Sequence, residues 1–147
     1  MSPQRAGPCQ GLSYISWAFV SVPAQKEKLD SLRRKFGITF IVAFGSRVKG
    51  VTHARSDLDI GILCARGFDT GILGELHGAF PGEDVDVALL NRADPLLLKG
   101  VSDAAVLLSG EERDLQEFRM YAFRRYVEHR PFFALEERVN ARHLAGA

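Results

Sequence analysis

Residues 38–44, "ITFIVAF", limit most what this chain can become. β-branched and aromatic side chains fill the run, so it suits a buried strand with no face left for water. Such a strand needs paired neighbours and cover on both sides. Two further runs read as strands: "SDLDIGILC" (56–64) and "DVDVALLN" (84–91).

The intervening segments read as helices. "AQKEKLDSLRRKFG" (24–37) sets Leu29, Leu32 and Phe36 at helical spacing and stops at Gly37. "FDTGILGELHGAFPG" (68–82) reads as a helix weakened by Gly71, Gly74 and Gly78, then a Pro-Gly turn. "DPLLLKGVSD" (94–103) opens with an Asp cap and a Pro at the first helical position. "AAVLLSG" (104–110) fits a short strand or a helix tail. Residues 111–143 make one or two amphipathic helices, and Pro131 should kink or split them. Strands alternating with helices predict an α/β sandwich around a mixed sheet.

The 147 residues suit one compact domain, and the chain shows no repeat or low-complexity tract. Residues 1–23 read as an N-terminal extension and 24–147 as the domain. The apolar stretch "LSYISWAFVSV" (12–22) holds three Ser and follows a single charge, a poor match to a signal peptide. No run approaches the roughly 18 apolar residues of a membrane span. A net charge of +1 provides no global field toward nucleic acid or membrane, so neither is an expected partner. Cys9 and Cys64 are too few and too far apart for a disulfide framework or a zinc site. Cys64 reads as a small buried thiol, and a reducing cytoplasm is the expected setting.

Chemistry concentrates in "FGSRVKGVTHARSDLDIGIL" (44–63). Side chains alternate along a strand, so Asp57 and Asp59 project from one face. The third strand carries Asp84 and Asp86, again on one face. If these strands pair, three or four acids meet at one sheet edge. Such crowding is costly unless a cation neutralises it. Hard oxygen donors with no His or Cys nearby select Mg²⁺ or Mn²⁺. Gly45 and Ser46 follow the buried strand, where "GSRVKG" turns and opens a short helix. Gly admits close backbone approach, and the Ser hydroxyl with free N–H groups suits phosphate. Arg47 and Lys49 can add charge-assisted contacts, and Ser56 stands beside the acids. His53 and Arg55 lie in the loop between cradle and acids, within reach of nucleotide or acceptor, and His53 reads as a solvated loop residue. A phosphate cradle joined to an acidic platform makes a nucleoside-triphosphate site.

"FGSRVKG" (44–50), "SDLDIGIL" (56–63) and "VDVALL" (85–90) resemble the minimal nucleotidyltransferases of the DNA polymerase β superfamily, in the spacing of MntA-type antitoxins. The resemblance spans residues 25 to about 140 and extends softly to "YVEHRPFFALEERV" (126–139). It implies the polymerase β-like fold: a mixed sheet flanked by helices, with C-terminal helices. Gly45, Ser46, Arg47, Lys49 and Ser56 would hold the triphosphate of ATP. Asp57, Asp59 and Asp86 would be catalytic and bind the metal. Asp86 is preferred to Asp84 because it sits within "VDV", whereas Asp84 edges a turn. Lys49 stands where the family often has Arg, keeping the charge without the bidentate geometry.

The implied activity is transfer of AMP to a hydroxyl of a partner HEPN-domain ribonuclease toxin, held in a hetero-oligomer with this chain as antitoxin. Two alternatives stand. A small-molecule acceptor usually brings a further substrate domain, which this sequence does not show. A masking antitoxin would act by contact alone, through Phe123, Tyr126, Phe132 and Phe133, residues that could equally close the core. Arg124 and His129 mimic the R-x4-H spacing of HEPN nucleases, but read as the exposed face of a charged helix.

Overall fold

The computed structural model describes residues 23–45 and 57–146. In chain order the elements are α1 (Pro23–Phe36), β1 (Ile38–Phe44), β2 (Leu58–Cys64), α2 (Gly71–Ala79), β3 (Val85–Leu89), a 3-10 turn (Leu90–Arg92), α3 (Pro95–Ala104), β4 (Val106–Gly110) and α4 (Glu112–Gly146). The strands form one sheet in the order β3-β2-β1-β4. β1 runs antiparallel to β2 and to β4, while β2 and β3 are parallel. This is the expected mixed sheet flanked by helices, and the second and third strands do pair.

Apolar alternation explains the layering. Ile38, Ile41 and Ala43 of β1 join Leu58, Ile60 and Ile62 of β2 on one face. Leu29 and Leu32 of α1 and Ile72 and Leu76 of α2 cover them. The other face turns Phe40 and Val42 toward Leu98 and Val101 of α3 and Leu115, Phe118 and Ala122 of α4. Phe40 and Phe118 meet edge to face, with ring centroids 5.4 Å apart. Ile38 and Ile41 share a face although three positions apart, because the β1–β2 register shifts between Ile38 and Phe40. Each fully buried Leu, Ile or Phe contributes about 1.5–3 kcal/mol. β1 is central in the sheet and buried at five of its seven positions.

Boundaries differ from expectation in ways local bonding explains. The helix expected within 68–82, ahead of its Pro-Gly turn, is confined to Gly71–Ala79. The Asp69 carboxylate accepts from the Gly71 N–H at 2.8 Å and turns the chain ahead of the helix. The third strand ends at Leu89, two residues early. Asn91 is spent on β2 instead: its side chain accepts from the Cys64 N–H and donates to the Cys64 carbonyl, both at 2.8 Å. Asp94 caps α3 as expected, accepting from the Leu97 N–H at 3.0 Å, with Pro95 in the first turn. Residues 106–110 settle as a strand.

Pro131 neither splits the last helix nor ends it; α4 runs unbroken from Glu112 to Gly146. Proline removes the N–H that would bond the carbonyl four residues back. Here that carbonyl belongs to Val127, and both residues are exposed, so water can take the lost partner's place. Cys64 is buried as expected, and burial pushes its thiol pKa up. Among the described residues no helix is long and apolar enough to cross a membrane. Cys9 and the 12–22 stretch lie outside the described residues.

A polar clasp ties α1 to the sheet. Ser109, buried in β4, donates to the Asp30 carboxylate and accepts from Arg33 Nε at 3.0 Å. Lys26 pairs with Asp30 at 3.3 Å. Burial alone would raise the Asp30 pKa. The Ser109 and Lys26 hydrogen bonds and the charges of Lys26 and Arg33 outweigh it and hold the pKa below its ordinary value. A carboxyl depressed in this way stabilises the fold above its unfolded pKa, and that stability is lost as pH falls through the folded value. Ser109→Ala should cost about 1–3 kcal/mol in urea denaturation at pH 7. It should also shrink the acid-side loss of stability below about pH 4; an unchanged acid limb would rule out the clasp as its source.

Candidate active site

The sheet brings the acids together at the end where β1 leaves and β2 enters. Phe44, the last residue of β1, lies opposite Asp59 in the antiparallel ladder. β3 joins β2 in parallel with Leu58 beside Val85, which sets Asp59 directly beside Asp86. The Leu58 N–H donates to the Asp84 carbonyl at 2.8 Å and fixes where the two strands begin. Leu58, Ile60 and Ile62 point into the α1/α2 core. Strand alternation therefore turns Asp59 to the opposite face, and lateral neighbours in a ladder share a face, so Asp86 goes with it. Farther along the sheet, α3 and α4 cover that face. At the acid end Asp59 is half-buried, while Asp57 and Asp86 are exposed.

Electrostatics mark Asp59 as the centre of the cluster. Burial pushes its pKa up, and the charges of Asp86 and Asp57 push it further. Asp84 is not among those charges; its carbonyl serves the ladder. Asp59 thus feels the two carboxylates expected to act with it.

Gly45 meets the same carboxylate. Its φ is +87°, and a Cβ built there would stand 2.9 Å from Asp59 Cγ and collide with Oδ2. Any other residue would displace the Asp59 side chain and strain the backbone as well. Sequence reading assigned Gly45 to close approach of phosphate; its contact with Asp59 emerges only from the register. The signal was the placement of Gly45 just past the strand residue that pairs with Asp59.

Gly45, Asp57, Asp59 and Asp86 therefore meet at one end of the sheet. Ser46, Arg47, Lys49 and Ser56 lie outside the described residues, as do His53 and Arg55. Among the described residues no three His, Cys, Asp or Glu side chains gather closely enough to hold an ion. The donors available are all carboxylate oxygens, the set that suits Mg²⁺ or Mn²⁺. Arg124 and His129 do not converge: five positions turn them about 140° apart around α4. His129 instead packs by the Phe132 and Phe133 rings.

The crowding has a measurable consequence. A carboxyl with a raised folded pKa takes up its proton more readily in the folded chain, so its ionised form destabilises the fold. That cost is complete above the folded pKa and disappears once pH falls below the unfolded value of about 3.9. Asp59→Asn should therefore raise the melting temperature at pH 7 by about 2 °C or more. The gain should fade below about pH 4; a lower melting temperature at neutral pH would contradict the repulsion.

Comparison with known proteins places this geometry. The family Polymerase beta, Nucleotidyltransferase matches residues 27–114, which include Gly45 and all the acids named above. No curated protein matches the chain. A toxin–antitoxin solved with AMP-PNP is similar in structure at 26% identity and TM-score 0.65, over 78% of this chain and 97% of that one. The toxin–antitoxin MntA-HepT is 23% identical with TM-score 0.61, over 80% and 97%. A tri-AMPylated HEPN toxin of Shewanella oneidensis in complex with its MNT antitoxin gives 23% and 0.60, over 80% and 97%. The match over most of the described sheet, with the paired acids inside it, makes this chain a member of the polymerase β nucleotidyltransferase family.

Proposed function

We propose that the chain is the antitoxin of a toxin–antitoxin pair and works as a protein adenylyltransferase, moving AMP from ATP to a hydroxyl of a HEPN-domain ribonuclease toxin. The carrying observation is Asp59 seated beside Asp86 in the parallel ladder, near Asp57, within a nucleotidyltransferase domain. Support for the nucleotide comes from the AMP-PNP bound by a relative at 26% identity. Support for the acceptor comes from the AMPylated HEPN toxin held by a structural neighbour.

The residues fit a divalent cation by their chemistry. Asp57, Asp59 and Asp86 offer only hard oxygens, and their mutual repulsion is what a cation relieves. Mg²⁺ or Mn²⁺, when bound, neutralises phosphate charge. The chain's own residues do the rest. Gly45 leaves room for the Asp59 carboxylate, and its backbone would lie beside the triphosphate. Ser46 and Ser56 bind phosphate oxygens, and Arg47 and Lys49 add charge-assisted contacts. Asp86 draws the proton from the attacking hydroxyl. The oxygen of that hydroxyl forms the new bond to the α-phosphorus as the bond from the α-phosphorus to its bridging oxygen breaks, and pyrophosphate leaves. Holding these groups in line supplies most of the rate.

Incubation with labelled ATP, Mg²⁺ and the HEPN-domain protein encoded beside this chain should add adenylyl mass to that partner. In Asp57→Ala/Asp59→Ala the rate should drop by about 10²-fold or more. Equal labelling by the variant would refute the enzymatic reading. Full neutralisation of the toxin by the unlabelling variant would establish a masking antitoxin instead.

A further inference from the structure

Helix α4 is apolar on two opposite sides. One carries Leu115, Phe118 and Ala122, buried against the sheet and α3. The other carries Met120, Phe123 and Val127, which are 66%, 60% and 45% exposed. Leu135 and Val139 are also exposed farther along the helix. A helix apolar all round belongs in an interior. Here a shallow depression of about 510 Å³, bounded by Arg119, Met120, Phe123, Arg124, Val127 and Glu128, lies on the uncovered side.

The direction of α4 connects this face with the acids. Glu112 follows Gly110, which pairs with Phe40 toward the end of the sheet remote from Asp59. Seven residues on, Arg119 donates to the carbonyls of Ser102 and Ala105, both at 3.1 Å. Ala105 precedes Val106, which pairs with Ala43, one residue short of the Phe44 opposite Asp59. The helix thus runs back along β4 toward the acid end. Residues 123–146 continue for about 36 Å, and none of them is buried.

Charge narrows the occupant. Arg124, Arg138 and Arg142 fall on the same exposed side by helical repeat and have no ion pair among the described residues. A second copy of the chain seated on this face would set arginines against arginines. A small-molecule acceptor has no use for an arm of this length. We propose that the outer face of α4 docks the protein acceptor of nucleotidyl transfer, through an apolar patch with an acidic rim, and so delivers its hydroxyl to the Asp59 end of the sheet. The assignment rests on the reading of the chain as a protein adenylyltransferase.

Phe123→Glu/Val127→Glu tests it, with Leu135→Glu as an independent variant farther out. All three residues are exposed, and unchanged far-UV circular dichroism checks folding. With the HEPN-domain protein encoded beside the chain as probe, affinity by titration calorimetry should fall at least about tenfold. Adenylyl transfer should fall with it, while ATP binding stays at the wild-type level. Wild-type affinity and transfer in both variants would overturn the docking assignment and leave the enzymatic reading standing, whether a second copy or residues 12–22 cover the face. Lost affinity in the variants, beside a wild type that binds but transfers nothing, would do the reverse.

Discussion

Everything at the active end depends on one pairing: β3 lying parallel to β2 with Asp59 beside Asp86. Side-by-side carboxylates resist that pairing: burial first, and then the Asp86 and Asp57 charges, push the Asp59 pKa up. The apolar residues of the same strands enforce it. Leu58, Ile60 and Ile62 are fully buried, with Val85, Val87 and Leu89 packed beside them. A slip of one residue would carry the slipped strand's three apolar residues to the wrong face and its acid into the core. At about 1.5–3 kcal/mol for each buried aliphatic side chain, that loss far exceeds the repulsion between two partly solvated carboxylates. The core therefore holds a charge arrangement that the acids alone would never adopt.

The two faces of the sheet share this work unequally. The α1/α2 face is the larger core and sets the register. The α3/α4 face packs around Phe40 and Val42 and stops short of Asp59, which leaves the acids reachable. Two glycines settle where backbone can pass. Gly45 makes room for the Asp59 carboxylate. Gly110, at φ +126°, ends β4 where a Cβ would stand 2.7 Å from Phe40 Cβ. The Asp30–Ser109–Arg33 clasp ties α1 to β4, the strand from which α4 departs.

Much of this was legible in the sequence because the signals were local. The period of "ITFIVAF", the Asp-Pro start of α3 and the spacing of the acids each reflect residues within a few positions of one another. What escaped was non-local or competitive. Asn91 leaves β3 because it binds the backbone of Cys64, a partner 27 positions away. The 68–82 helix is trimmed by an Asp69 side-chain bond that propensity does not weigh. Pro131 fails to break α4 because exposure lets water replace the bond it removes. The preference for Asp86 over Asp84 rested on its apolar flanks. The ladder sets Asp86 level with Asp59.

On the proposed function, the same distinction would let chemistry and acceptor recognition sit apart in one small domain. The carboxylates would act on groups common to every nucleoside triphosphate and would carry little information about the acceptor. Selectivity must come from surface not already spent on the core. Among the helices, α1, α2 and α3 are short and press their apolar sides onto the sheet. Among the described helices, only α4 outlasts the sheet it packs on. Its first three turns are bound by Leu115, Phe118 and Ala122, and beyond them the chain keeps Phe123, Val127, Leu135 and Val139 in water. Exposed apolar side chains in a row confer no stability on the lone chain, and the isolated helix beyond the sheet must rely on propensity and neighbouring pairs. A helix that persists there at that cost is explained by what covers it.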